Sequence, residues 1–363
     1  MERLTRTFFV VAVATAASCA PAIVANRGTS PPELLTAARR TDALQRADVW
    51  APTAVASMNL RAGPQGKGAF PPFATVNCDY VDEKTSGSSA KFVCAVTPDD
   101  HVKVKYGKDN VEVYAEVAAT RLLWALGFGS DRWYPVTVVC HGCPADPAQS
   151  TTPRMDSVTF DVAAIERKMP GKTLETKPDE GWAWKELDAV NAVDAVKSGD
   201  QAMHRDALRL LAVFLQHTDS KPVQQRLICL PAAEGTERPA LCAQPFMLIH
   251  DVGLTFGRSN LLNLNQASGA NFDRWAAIPI WKEPKGCVGK LSGSLTGTMT
   301  DPTIGETGRK FLANLLMQLS DAQLRDLFAI ARFDQRPAGA SIDAWVDLFK
   351  KRRQEIVDVT CPS

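Results

Sequence analysis

Eight cysteines constrain this chain more than any other feature of its sequence. They are Cys78, Cys94, Cys140, Cys143, Cys229, Cys242, Cys287 and Cys361, with a ninth, Cys19, set apart near the N-terminus. An even number of spaced cysteines in an exported chain implies a disulfide framework. Spacing alone does not fix the pairing. Local closure favours Cys78–Cys94, Cys140–Cys143 and Cys229–Cys242, which leaves Cys287–Cys361 by elimination. Cys140-His141-Gly142-Cys143 also has the spacing of a redox pair or half a zinc site. No second C-x-x-C or His-rich partner accompanies it, so a structural bridge is the first expectation, redox chemistry the second and metal the third.

Export itself is legible. Arg3 and Arg6 precede an apolar run from Phe8 to Ala17, too short to span a bilayer, followed by Ala16-Ala17-Ser18-Cys19. That order resembles a lipobox, with Cys19 as a lipid anchor, although Ala16 stands where Leu is usual. Ordinary cleavage near Ala22 or Ala25 is the alternative. Residues 1–18 are therefore expected to be a signal peptide, placing the mature chain in the cell envelope, lipid-anchored or periplasmic, or outside the cell. The remainder has no apolar run of about 18 residues. With 41 basic against 40 acidic residues, charge-driven nucleic-acid binding is not expected. At 363 residues, 45% hydrophobic, the chain can bury a large core.

The pattern along the chain changes character once. Residues 19–49 suggest a tether and a short helix from Pro32 to Arg46. Strand patterns follow over Thr75–Val81, Lys91–Val96, His101–Tyr106, Tyr134–Cys140 and Val158–Ile165. Between them Val111, Tyr114, Ala115, Ala118, Leu122 and Leu126 recur at helical spacing, with Gly127 as a stop. From 171 onward, helices are expected over Gly181–Ser198, Met203–Leu215, Thr307–Leu319, Ser320–Phe333 and Ser341–Val357, with strands at Arg226–Leu230 and Pro245–Ile249. Ser320 and Gln323 have capping-box spacing. A β-rich first half and a helical second half predict an α+β, two-lobed protein, with lobes over 50–170 and 171–363.

Three pieces carry chemistry, in a fixed order. Lys103-Val-Lys105-Tyr-Gly107 lies on a strand, and Glu116 lies in the next helix. His217-Thr-Asp219-Ser-Lys221-Pro-Val-Gln224 ends a long helix, and Asp251-Val252-Gly253 ends a later strand. This series resembles the protein-kinase-like superfamily over roughly residues 75–260. His217-x-Asp219-x-Lys221-Pro222 lies over the catalytic loop H-R-D-L-K-P-E-N, and Asp251-Val252-Gly253 over D-F-G. The resemblance is to atypical members such as the Golgi casein kinases, HipA-type and phosphoinositide-kinase-like folds, here as a secreted bacterial form. It implies a two-lobed kinase-like fold, with a β-rich N-lobe holding one long helix and a mostly helical C-lobe.

What the resemblance implies for the site follows the needs of phosphoryl transfer, which are charge neutralisation and positioning. Lys105, held by Glu116, would grip the phosphates of ATP or another nucleotide, with Lys103 beside it. Asp251 would hold Mg²⁺ or Mn²⁺, with Gln224 in the place of the metal-binding Asn and Gln225 as a rival. Asp219 would orient the acceptor hydroxyl, and Lys221 would neutralise the phosphoryl group in transit. No G-x-G-x-x-G loop exists; the turn holding Gly87 and Ser88 is the candidate cover. Singly, each residue has a plainer role: Lys103 and Lys105 as a solvated strand face, Glu116 as a surface carboxylate interchangeable with Glu112, and Asp219 and Asp251 as turn caps. His250 is expected to pack or hydrogen-bond.

The expected function is an exported phosphotransferase acting on an envelope or extracellular protein, glycan or small molecule. An inactive kinase-like binding scaffold is the alternative. A thiol-disulfide protein using Cys140 and Cys143 is the third.

Overall fold

The computed structural model describes residues 33–149, 152–175, 181–190, 195–231, 242–257, 269–291, 297–336 and 339–362. The leader expected over 1–18, Cys19 and the first part of the expected tether lie outside the described residues. In chain order the elements are β1 (Glu33–Leu34), α1 (Ala37–Arg46), β2 (Thr75–Val81), β3 (Lys91–Thr97), β4 (Asp100–Tyr106), α2 (Glu112–Ala125), β5 (Arg132–His141), β6 (Ser157–Arg167) and β7 (Lys172–Glu175). They continue with α3 (Ala195–Leu215), β8 (Gln225–Cys229), β9 (Pro245–Ile249), α4 (Phe272–Ala277), β10 (Trp281–Glu283), β11 (Val288–Gly289), α5 (Glu306–Met317), α6 (Asp321–Ile330) and α7 (Ile342–Val357). The architecture is mixed α and β, with most strands early and most helices late.

Five strands close into a barrel in the order β2-β3-β4-β6-β5, sealed by parallel pairing of β2 with β5. Side chains alternate across a strand. Val102, Val104 and Tyr106 of β4 therefore enter the barrel core, with Phe92 and Cys94 of β3. Lys103 and Lys105 face outward for the same reason. The disulfide Cys78–Cys94 ties β2 to β3, and Cys140–Cys143 folds the end of β5 back on itself. Cys140 and Cys143 are fully buried in that core, which denies their bridge the access that thiol exchange needs. The other two bridges are Cys229–Cys242 and Cys287–Cys361. All four pairings match the sequence expectation.

Helix α2 sits beside the barrel in a second and larger core, shared with α3, α5, α6 and α7. All its residues except Trp124 are buried, including Glu112, Glu116 and Arg121. Its one-sided spacing in sequence therefore understates its burial; Ala115, Ala118 and Ala119 let neighbours approach on the remaining faces. A second sheet, ordered β1-β7-β8-β9, carries the strands that lead into and out of the site.

One expectation is corrected. Gly181–Ser198 is not a single helix. A 3-10 turn covers Trp184–Asp188, Ala189 and Val190 are not helical, and α3 covers Ala195–Leu215. Trp182 and Trp184 are both buried with rings 5.2 Å apart. Residues i and i+2 do not share a helix face, whereas the extended backbone at Ala183 puts them together.

The N-terminal segment is bound by a buried arginine. Arg205 on α3 donates to the carbonyls of Leu44, Ala47, Leu187 and Ala189 at 2.7–3.2 Å. Arg352 on α7 likewise donates to the carbonyls of Trp275, Ile278 and Phe214. The C-terminus has a further tether in Cys287–Cys361, which closes a separation of 74 residues. Replacing both cysteines with Ala should lower unfolding free energy by about 4 kcal/mol, the loop-entropy value for a closure of this length. Denaturant titration of the double variant checks this; a loss under ~1 kcal/mol would show that packing alone holds α7.

Candidate functional site

The site forms where β4, α2 and the turn after β9 converge. Lys105 leaves β4 on the face away from the barrel core and is 1% exposed. Its ammonium lies 2.6 Å from Glu116 Oε1, 2.6 Å from Glu112 Oε2 and 3.9 Å from Asp251 Oδ1. The ring of Trp133 covers it at 4.9 Å. Glu112 and Glu116 reach one ammonium because residues four apart on a helix share a face. Both carboxylates named in the sequence reading thus act together rather than as alternatives.

Glu116 also fixes the Asp251 turn. Its second oxygen, Oε2, accepts a hydrogen bond from Val252 N at 3.2 Å. Asp251 Oδ1 accepts from Gly253 N at 3.3 Å, curling the turn so that the carboxylate faces Lys105. A Cβ on residue 253 would sit 2.5 Å from Glu112 Cγ, so the glycine is required by close approach. Val252 is buried in the large core, where an apolar residue of any suitable shape serves.

These groups perturb one another. Burial disfavours the Lys105 ammonium, but Asp251, Glu112 and Glu116 outweigh it and raise its pKa well above the usual value. Burial also resists ionisation of Asp251, yet Lys105, His250 and Lys103 hold its carboxyl well below the usual range. Glu116 is pushed up to about 8, by burial first and by the Asp251 charge, against the pull of Lys105.

The loop after α3 brings the second group. Gln216 takes a positive φ of 58°, and its amide donates to Val213 O and Lys290 O. Buried Ser220 accepts at Oγ from Thr298 N and Met299 N. Between these anchors Asp219 is engaged at both oxygens, by Lys221 Nζ at 3.0 Å and Gln224 Nε2 at 2.9 Å. Gln224 therefore turns its amide nitrogen to Asp219, while its backbone carbonyl accepts from His250 N and Asp251 N. That carbonyl couples the two motifs. Gln225, the rival, is buried as the first residue of β8.

Among the described residues, carboxylate oxygens of Glu112, Glu116 and Asp251 lie within 4.8 Å of one another. Oxygen donors of this kind suit Mg²⁺ or Mn²⁺. Both Glu116 oxygens are already used, so Asp251 and Glu112 are the better placed donors.

The structure adds two features to the site that the sequence candidates did not include as such. Behind Asp251, Lys103 pairs with Glu166 Oε2 at 2.8 Å, and His250 Nδ1 lies 3.5 Å from Asp131 Oδ2 and 3.7 Å from Glu166 Oε1. Arg226 closes the group on Asp131 at 2.9 Å. Burial lowers the pKa of His250, but the two carboxylates override it and raise it to about 9. Asp131, Glu166 and Arg226 come from three separate strands or their ends, so only the fold assembles them. The other feature is Lys91, directly paired with Lys105 across β3 and β4. Its signal was available: it follows the Ser/Gly turn immediately. Gly87 holds that turn at a φ of 85°, and exposed Ser88 sits at its tip.

No protein-family model and no curated protein matches the chain. Among solved structures it is similar to the Helicobacter pylori proinflammatory kinase CtkA, at 12% identity and a TM-score of 0.42, over 79% of this chain and 96% of that one. It is also similar to a Golgi casein kinase solved with Mn and ADP bound, at 12% identity and a TM-score of 0.33, over 79% of this chain and 73% of that one. Similarity this distant leaves the functional argument to the site's own geometry.

His217 supplies a test of that geometry. It is buried, and burial pushes its pKa down to about 4 despite the Asp219 and Asp251 charges. Its folded pKa is depressed below the unfolded value of ~6.5, so the unfolded chain binds the extra proton between those limits. Stability should therefore fall as pH drops from ~6.5 toward 4, by at most ~1.4 kcal/mol per pH unit from this residue. Glu116, with its raised pKa, works in the opposite sense over ~4.5 to 8. The test is accordingly a difference: His217→Gln should lose acid sensitivity relative to the parent in denaturant titrations at pH 6.5 and 4.5. Equal sensitivity in both would remove His217 from the account.

Proposed function

We propose that this chain is a kinase-like phosphotransferase that uses ATP, or another nucleotide, with Mg²⁺ or Mn²⁺. The observation that carries the reading is the junction of Lys105, Glu116 and Asp251, with Glu116 bonded both to the strand lysine and to the turn that presents Asp251. A strand, a helix and a post-strand turn converge on one ammonium, in the arrangement that nucleotide positioning needs. Asp251, with Glu112 beside it, would hold the divalent cation, which supplies neutralisation of phosphate charge. Asp219 would orient the acceptor hydroxyl, and Lys221 would face the phosphoryl group in transit. Four disulfides support an exported setting. No helix among the described residues is long and apolar enough to cross a membrane. Attachment through Cys19 and an acceptor in the cell envelope or outside the cell belong to the same proposal.

One observation favours a second reading, a kinase-like scaffold without turnover. Both oxygens of Asp219 are engaged by Lys221 and Gln224, so the proposed base is not free to meet an acceptor without rearrangement.

Thermal unfolding of the disulfide-intact chain tests the proposal. ATP with Mn²⁺ should raise the midpoint, because a ligand of the folded state stabilises it by RT ln(1 + [L]/Kd). Asp251→Asn should fold and lose at least tenfold in apparent affinity. No shift in the parent protein rejects the nucleotide site. A shift without phosphate transfer to any acceptor or to water selects the scaffold reading.

A further inference from the structure

Three lysines share the outer face of β3 and β4, and their circumstances differ. Lys105 is enclosed by three carboxylates. Lys103 is neutralised by Glu166 at 2.8 Å. Lys91 has neither arrangement. Directly paired strand residues project from the same face, so Lys91, opposite Lys105, belongs to the face that carries the site. Its ammonium donates to Ser89 Oγ at 3.2 Å, and among the described residues no carboxylate lies within 4 Å of it. It is half-buried, and it sits beneath the Ser/Gly turn: a Cβ on residue 87 would come within 2.8 Å of its Nζ. Burial and the Lys105 charge push its pKa down, outweighing the more distant charges of Glu112 and Asp251, which act in the opposite sense.

A partly desolvated ammonium without an anion is an unfavourable arrangement that a bound anion relieves. We infer that Lys91, together with the turn at Gly87, Ser88 and Ser89, is the receptor for the polyphosphate of the bound nucleotide, and that Lys105 is a strut rather than the phosphate ligand. This rests on the phosphotransferase reading and revises the role of its lysine. Lys105 is 1% exposed and already in contact with two carboxylates, so an incoming phosphate meets no open side of it. Lys91 has an open side, a turn that places Gly87 over it, and Asp251 and Glu112 near enough to act on its charge. Cation-binding oxygens and an anion-binding ammonium thus lie on the same face of the barrel, as a metal-bound polyphosphate requires.

The experiment compares the parent chain with Lys91→Ala, Lys91→Gln and Lys91→Arg, disulfides intact, by calorimetric titration with ATP and with tripolyphosphate, each with Mn²⁺. Thermal midpoints without ligand are measured alongside. Lys91→Ala and Lys91→Gln should lose about 10- to 100-fold in affinity for both ligands, the range of a charge-assisted hydrogen bond. Lys91→Arg should recover most of it. Without ligand, the midpoints of both neutral variants should equal or exceed the parent's, since they remove a charge without a counter-ion; a structural lysine would lower them. Parent-like affinity in the neutral variants overturns the inference and leaves the phosphotransferase reading standing. So does a lowered midpoint in both. Tripolyphosphate binding that depends on Lys91, in a chain that shows no added affinity for ATP, upholds the anion receptor and rejects the nucleotide reading. Absence of binding by the parent to either ligand rejects both.

Discussion

The ion cluster around Lys105 is the interaction on which the arrangement of the site depends. One buried ammonium meets Glu112 and Glu116 at 2.6 Å and Asp251 at 3.9 Å, and strand, helix and turn each contribute under a separate constraint. Lys105 is fixed by the barrel register, the two glutamates by α2, and Asp251 by the turn after β9. Buried charges are costly to bring together, and removing one partner leaves the others exposed to that cost. The cluster therefore acts less as a source of net stability than as a registration device. It ties the barrel, the central helix and the turn after β9 to a single ammonium.

That device explains why α2 is so deeply set. A helix bearing Glu112, Glu116 and Arg121 has no intrinsic reason to be buried on nearly every face. Its burial is tolerated because its charged groups meet partners there. Arg121 donates to the carbonyls of Leu60 and Arg61 at 2.7 and 2.9 Å, and Glu116 is used at both oxygens. Arg205 and Arg352 follow the same logic in the helical core: each satisfies several backbone carbonyls at helix ends or in irregular chain, where no ladder supplies donors. Guanidinium suits this role because its donors are fanned in a plane and its charge survives burial.

Local signals in the sequence were informative, and long-range ones were not. Strand alternation placed Lys103 and Lys105 on one face, and helical spacing placed Glu112 and Glu116 on another. Both features are periodic and need no tertiary knowledge. The disulfides were legible because three of the four close short loops. The closed barrel was not, since the parallel β2–β5 pairing joins segments separated by three elements. The cluster of Asp131, Glu166 and His250 was hidden for the same reason. The Gly181–Ser198 segment misled because two tryptophans two residues apart contribute apolar character to a helical window while demanding an extended backbone. Lys91 was not among the sequence candidates, because a sequence gives no sign of which lysine in a set will be neutralised.

Conventional weight falls on the lysine in the recognisable motif, here Lys105. A motif position says that a charge is present; it does not say that the charge is available. Availability is a balance of neighbours, and at this site one carboxylate at 2.8 Å takes up Lys103 while three enclose Lys105. The ammonium left over, on the strand next to the motif and under a turn without side-chain bulk at Gly87, is the one with capacity for an incoming anion. A buried lysine held by three carboxylates under a tryptophan ring organises the fold; a half-buried lysine with a hydroxyl for its partner is the one poised to bind.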